Sequence, residues 1–221
     1  MRNGDMVGLL NAVEHLRRQM KEPVKFHMLP GTISDSDYCI KFFEFLKTQT
    51  DYFSEVPGNQ ILSWSSVNLW DLRDICGDIA EIKNDRPMKN KIVIFPLLDA
   101  PYNGYRNWTP ELLQNIINLY NDVPFQEKII CCKTPLGGID TKGFEISTDF
   151  MTNIDHIMDC HTFVGGETGT SIFASALNRG PKELVYYYSS RALLHTTPFN
   201  ALNGKGKIVT YWLNFDGTSW T

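Results

Sequence analysis

The sequence predicts an α/β protein with parallel sheets, divided into two small Rossmann-like units of which the first is reduced. Three observations carry that expectation. Segments with apolar residues at helical spacing alternate with strand-like apolar runs along the whole 221-residue chain, the pattern of βαβ units. KIVIFPLL, EKIICC and ELVYYY in the second half are near-continuous β-prone runs, as strands covered on both faces require. HTFVGGETGTSIFASAL reads as a strand passing through a glycine turn into a helix, the junction at which such folds bind ligands.

Each element follows from its own residues. MVGLLNAVEHLRRQM sets Met6, Leu9, Leu10, Val13, Leu16 and Met20 on one helical face, and Pro23 closes the helix. VKFHML alternates as a strand ahead of the Pro30-Gly31 turn. DSDYCIKFFEFLKTQTDYF returns to helix, with Ser34 or Asp35 as cap and Tyr38, Phe42, Phe45 and Leu46 as its stripe. QILSW reads as a strand and NLWDLRDICGDI as a short helix. The polar, proline-bearing EIKNDRPMKNK marks a linker. Residues 1–80 are therefore expected as the reduced first domain, 81–90 as linker, 91–200 as the second domain and 201–221 as a C-terminal arm.

In the second half, NWTPELLQNIINLY has Thr109 as N-cap, Pro110 at the first helical position, and Leu112, Leu113, Ile116, Ile117 and Tyr120 facing inward. GFEIS is a further short strand, and DFMTNIDHIMDC a helix packed through Phe150, Ile154, Ile157 and Met158. Gly180-Pro181 ends the helix TSIFASALN. The tail KGKIVTYWLNFDGTSWT alternates loosely, as a strand or a docked arm.

Composition narrows the function classes. A net charge of -4 gives no electrostatic case for a nucleic-acid partner. The five cysteines form no CxxC and no zinc-type spacing with histidine, and Cys131-Cys132 lies within an apolar strand as buried thiols. No metal cofactor is expected. A reducing, cytoplasmic setting fits this usage, and no stretch reaches the roughly 18 apolar residues of a transmembrane segment.

Three clusters carry chemistry. In the first, Thr162-Phe163-Val164 forms the strand, Gly165-Gly166 the turn and Thr170-Ser171 the helix start. Exposed amides and the helix dipole there meet an anion, and the hydroxyls either donate to phosphate oxygens or cap the helix. The turn is neither GxxxxGK[ST] nor GxGxxG. Glu167 either accepts from sugar or ribose hydroxyls and backbone amides, or stands as a solvated loop acid. The second cluster, DAPYNGYRNWTPE, follows the strand KIVIFPLL. Its Arg106, flanked by Tyr102, Tyr105 and Trp108, either pairs bidentately with a diphosphate or stacks on an aromatic ring. The third is RNGDMVGLL, where Asp5 is an N-cap or, facing a cleft, a general base. Of the histidines, His195 has the position best suited to meet a ligand.

In this order the three clusters resemble the ADP-heptose:lipopolysaccharide heptosyltransferase family and its relatives among B-fold glycosyltransferases. GDMVGLLNAVEHLRR is similar to the family's Gly-Asp before an apolar helix with a basic end. IVIFPLLDAPYNGYRNWTPELL is similar to its strand, basic loop and Trp-Pro-like helix start, and MTNIDHIMDCHTFVGGETGTSIFASAL to its helix, strand and Gly-acid-Ser/Thr-Gly turn. The match spans 91 to about 198 and, in the first half, only its start.

The resemblance implies a nucleotide-sugar donor on the second domain, a glycan or other hydroxyl acceptor on the first, and transfer with inversion without a metal. It implies that Thr168, Gly169, Thr170 and Ser171 hold the donor diphosphate with Arg106, that Glu167 serves the donor sugar or ribose, and that Asp5 deprotonates the acceptor. The family has Gly-Pro-x-His where Gly169-Thr170-Ser171-Ile172 stand here, and a strand before Gly-Asp where this chain has Met1-Arg2-Asn3. Those differences favour the alternative, a non-catalytic nucleotide-sugar-binding fold acting as a binding or assembly module, with homodimerisation through an edge left open.

Overall fold

The computed structural model describes residues 3–21, 23–27, 31, 33–54, 81–98, 107–133, 136–166, 168–189 and 207–213. Their first half supplies α1 (Asn3–Met20), β1 (Phe26–His27), α2 (Asp37–Gln49) and β2 (Phe53–Ser54). The second half begins with β3 (Lys91–Phe95), α3 (Pro110–Asn121), β4 (Glu127–Cys131), β5 (Glu145–Ser147) and α4 (Phe150–Asp159). It continues with β6 (Thr162–Gly165), α5 (Gly169–Ala176), β7 (Glu183–Ser189) and β8 (Lys207–Leu213). QILSW, NLWDLRDICGDI and the tip of the Pro30-Gly31 turn fall wholly or partly outside the described residues.

Strands β3 to β8 form one six-stranded sheet in the order β5-β4-β3-β6-β7-β8, and every pairing in it is parallel. Counted from β3, that order is 3-2-1-4-5-6, the arrangement of doubly wound dinucleotide-binding sheets. The expected α/β class with a parallel sheet therefore holds. Strands β1 and β2 pair separately, also in parallel.

Side chains alternate across the large sheet as period-two geometry demands. Val93, Ile129, Cys131, Phe163, Leu184 and Tyr186 enter one core. Ile92, Ile94, Ile130, Val164, Val185 and Tyr187 enter the other, where the inward stripe of α3 covers them. Helices α4 and α5 cover the first face, so helices lie on both sides and the strands read as continuous apolar runs for that reason.

Caps set where the helices begin. Thr109 Oγ1 accepts from the Leu112 amide at 3.2 Å, with Pro110 following it. Asp149 accepts from the Thr152 amide at 2.8 Å, and this bond holds its carboxyl below the usual range. Helix α2 departs from expectation, since its N-cap is Ser36, which makes no side-chain cap bond. Ser34 and Ser36 pair their hydroxyls at 3.1 Å instead.

The described part of the first half shares a core with the sheet. Met6, Leu9, Leu10 and Val13 of α1 and Phe42 and Leu46 of α2 belong to the same core as Val93 and Phe163. Helix α1 packs on α5, and α2 on α4. Phe42 meets the edges of Phe150 at 5.8 Å and Phe173 at 5.6 Å. Burying a side chain of that size stabilises by about 1.5–3 kcal/mol, so these contacts tie the halves firmly.

Two expected boundaries change character. The stretch 81–90, expected as a linker, is pinned at its start. Ile82 donates its amide to Ala176 O at 2.8 Å and accepts from Asn178 at 3.0 Å. Asn84 is buried and donates from Nδ2 to Met158 O at 2.6 Å and Arg179 O at 2.7 Å. Its amide thereby satisfies carbonyls at the ends of α4 and just beyond α5, which a free span could not do. Within the expected arm, 207–213 is strand β8, in register with β7 from Glu183↔Lys207 to Ser189↔Leu213. Its β-branched and aromatic residues suit a strand.

Cys39, Cys131, Cys132 and Cys160 are free thiols, all buried. Burial pushes the Cys131 and Cys160 thiols far up, out of the reactive range. Among the described residues no helix is long and apolar enough to cross a membrane.

Candidate functional site at the reversal point of the sheet

Strand order reverses between β3 and β6, whose residues pair from Ile92↔Thr162 to Phe95↔Gly165. In open α/β sheets the loops leaving the carboxyl ends of two such strands diverge to opposite faces and leave a crevice between them. Here those loops are the two second-half clusters singled out in the sequence. Their described residues touch. A Cβ placed on Gly166, after β6, would lie 2.9 Å from Trp108 Nε1 and 3.3 Å from Leu97 Cβ, both in the segment after β3. Trp108 is itself fixed there by donating its amide to Leu97 O at 2.7 Å.

Both glycines are required by close approach. At Gly165 a Cβ would meet the Phe163 ring at 2.5 Å and Ser171 Oγ at 2.7 Å, distances that real side chains do not reach. The turn then tightens, with the Thr168 amide donating to Gly166 O at 2.9 Å. Thr168 is the N-cap of α5, its Oγ1 accepting from the Ser171 amide at 3.3 Å.

The hydroxyls of the turn are organised inward. Ser171, 1% exposed, donates from Oγ to Gly166 O at 2.5 Å. Thr168 Oγ1 lies 2.6 Å from Thr170 Oγ1 and 3.3 Å from Ser171 Oγ. The Tyr186 hydroxyl donates to Ser171 O at 3.3 Å, and burial pushes that phenol far up. Of the two roles open to these hydroxyls, capping and bracing the turn is the one the geometry displays. The first amides of α5, at Gly169 and Thr170, lie ahead of the reach of intrahelical bonding.

Four candidates are placed only in part or not at all. Helix α1 begins at Asn3, so Asp5 lies within its first turn and not ahead of it. The side chain of Asp5 lies outside the described residues, as do Arg106, Glu167 and His195. Because α1 packs on α5, the structure brings the Asp5 helix beside the helix that opens from the glycine turn.

At the opposite end of β3 sits a polar cluster that the sequence reading missed. Lys91, 1% exposed, bonds from Nζ to Asp159 Oδ1 at 2.6 Å and Glu127 Oε2 at 3.0 Å. His156 Nδ1 lies 3.3 Å from the same nitrogen. A lysine nitrogen only donates, so Nδ1 accepts and the ring proton sits on Nε2. Burial, and then the Lys91 cation, hold the His156 pKa down. Lys89 adds a second contact to Asp159 at 3.0 Å. No spacing in the sequence announces this cluster, because Lys91 and Asp159 meet only through the β3–β6 pairing of the folded sheet. Among the described residues no group of three His, Cys, Asp or Glu side chains is placed to hold a metal ion.

Against known proteins the chain matches no protein-family model, no curated protein and no solved structure.

Proposed function

We propose that the protein binds a nucleotide-diphosphate sugar at the reversal point of its parallel sheet and transfers the sugar to a hydroxyl acceptor. One observation carries the reading: two loops, selected separately in the sequence for phosphate-binding character, meet at the carboxyl ends of the adjacent strands β3 and β6. The turn at Thr168, Gly169, Thr170 and Ser171 would hold the diphosphate, through amides aligned with the dipole of α5. Arg106, in the sequence between β3 and α3, would neutralise its charge as it leaves. Asp5 would take the acceptor proton, and Glu167 would hold hydroxyls of the donor. The arrangement would act as a reduced B-type glycosyltransferase in the cytoplasm, its chemistry resting on cationic side chains and helix amides.

A second reading has an observation of its own. The described part of the first half shares a core with the sheet, through α1 on α5 and Phe42 on Phe173. A two-lobed transferase would instead set its first domain across a cleft from the second. That packing favours a module that binds the nucleotide sugar without turning it over.

The test is equilibrium binding of the common nucleoside diphosphates and their sugars to the full chain, followed by assay of sugar release and transfer with Asp5→Asn alongside. Binding with transfer that Asp5→Asn abolishes supports the first reading, whereas binding with no turnover supports the second. Binding of none of them removes both.

A further inference from the structure

The seam between the two loops contains a hydrogen-bond donor without an acceptor. Trp108 is 4% exposed, and its Nε1 is one of two buried side-chain atoms, with Asn153 Oδ1, that have no hydrogen-bond partner among the described residues. Buried indole N–H groups ordinarily find an acceptor. It lies against the glycine turn, since the Cβ that Gly166 lacks would stand 2.9 Å from it. Its orientation is not loose. The ring belongs to the α3-side core and meets Tyr187 edge to face at 5.5 Å.

We propose that Trp108 Nε1–H is a ligand-binding donor that engages a phosphoryl oxygen of the nucleotide diphosphate at Gly166. The inference rests on the reading above and deepens it by naming a binding residue outside the 168–171 turn. Among the described residues of this seam the polar groups without a partner are donors, namely the indole N–H and the first amides of α5. The Ser171 hydroxyl is turned to the Gly166 carbonyl, and Thr168 and Thr170 face each other. A ligand complementary to such a set must present several acceptor oxygens in a small volume, which a diphosphate does and an uncharged nucleoside does not. Glycine at 166 has a reason in the same picture, because a methyl group there would fill the approach to the indole. The donor is covered, so the incoming oxygen must part the loops at Gly166, and Trp108 reports that event directly.

The experiment uses the full chain and, as probes, inorganic pyrophosphate and the diphosphates of adenosine, guanosine, uridine and cytidine. The indole resonance of Trp108 is assigned in the wild-type chain, from its through-space contacts with Gly166 and Leu97. The expected result is a downfield shift of that resonance on binding, and about tenfold or greater weakening of the bound diphosphate in Trp108→Phe, as for loss of a hydrogen bond to a charged group. The corresponding nucleoside leaves the resonance in place. Should Trp108→Phe fail to fold, the wild-type resonance alone decides. A diphosphate that binds while the Trp108 resonance stays fixed, or that binds folded Trp108→Phe with unchanged affinity, overturns this inference and leaves the proposed function standing. If no probe binds the wild-type chain, both fall together.

Discussion

The two ends of β3 handle buried polar groups in opposite ways. At its start, Lys91 is surrounded by Asp159, Glu127 and the acceptor nitrogen of His156, one contact for each proton it can donate. Past its other end, the Trp108 indole lies against Gly166 with no acceptor among the described residues. The first cluster is closed and the second is open. Charge density alone would have pointed to the Lys91 end as the place of chemistry. Completeness of hydrogen bonding separates the two ends: the Lys91 network is saturated, whereas the buried indole N–H lacks an acceptor among the described residues.

Substitution at Lys91 should give the largest effect. Lys91→Met leaves Asp159 with only the exposed Lys89, and stability in urea should fall by about 3 kcal/mol, as when one partner of a buried pair is removed. Pairing it with Asp159→Leu should recover much of that loss, since desolvating both charges is itself costly. If the double change were no better than the single one, the cluster would have a role beyond holding the sheet.

At the open end, Gly165→Ala should cost about 1–3 kcal/mol by overpacking. The added methyl meets the Phe163 ring at 2.5 Å and Ser171 Oγ at 2.7 Å. The same substitution should disorder the 168–171 turn, visible as faster amide exchange at Gly169 and Thr170. Unchanged stability and exchange would show that the turn does not depend on this close approach.

The smallest effect concerns pH. The folded pKa of His156 lies below its ordinary value of 6.5, so the unfolded chain binds the proton more readily. The stabilisation is therefore present above about pH 6.5 and is lost as pH falls toward the folded value. The groups facing the ring are Lys91, Asp159, Glu127 and Glu145. Melting temperatures measured across this interval should drop for the wild type, and the part due to His156 should vanish in His156→Gln. A slope unaltered by that change would show that His156 is not its source.

Legibility in the sequence followed how local each cause is. Strands β3, β4, β5 and β6 stand where their β-prone runs lie, and the caps at Thr109 and Pro110 act within one turn of chain. The N-cap of α2, expected at Ser34 or Asp35, lies one or two residues later at Ser36, because three neighbouring side chains can each cap and only the path of the entering chain selects one. The glycine turn was identifiable from its residues, but the inward direction of the Ser171 hydroxyl was not, since it depends on the Gly166 carbonyl folding back over the helix start. Lys91 stands in the sequence where the stretch EIKNDRPMKNK passes into the run KIVIFPLL. Its burial comes from α4 ending at Asp159 directly beneath it, a long-range fact that periodicity does not carry.

The sheet order also governs how the chain can assemble. Ile92 pairs with Thr162 only after α3, β4, β5 and α4 have intervened, so the central contact closes the longest loop between paired strands of the sheet. Such non-local pairings make refolding slow, and until β6 arrives one side of β3 offers unfilled backbone to any passing strand. Dilute conditions during renaturation should therefore raise the yield of native chains.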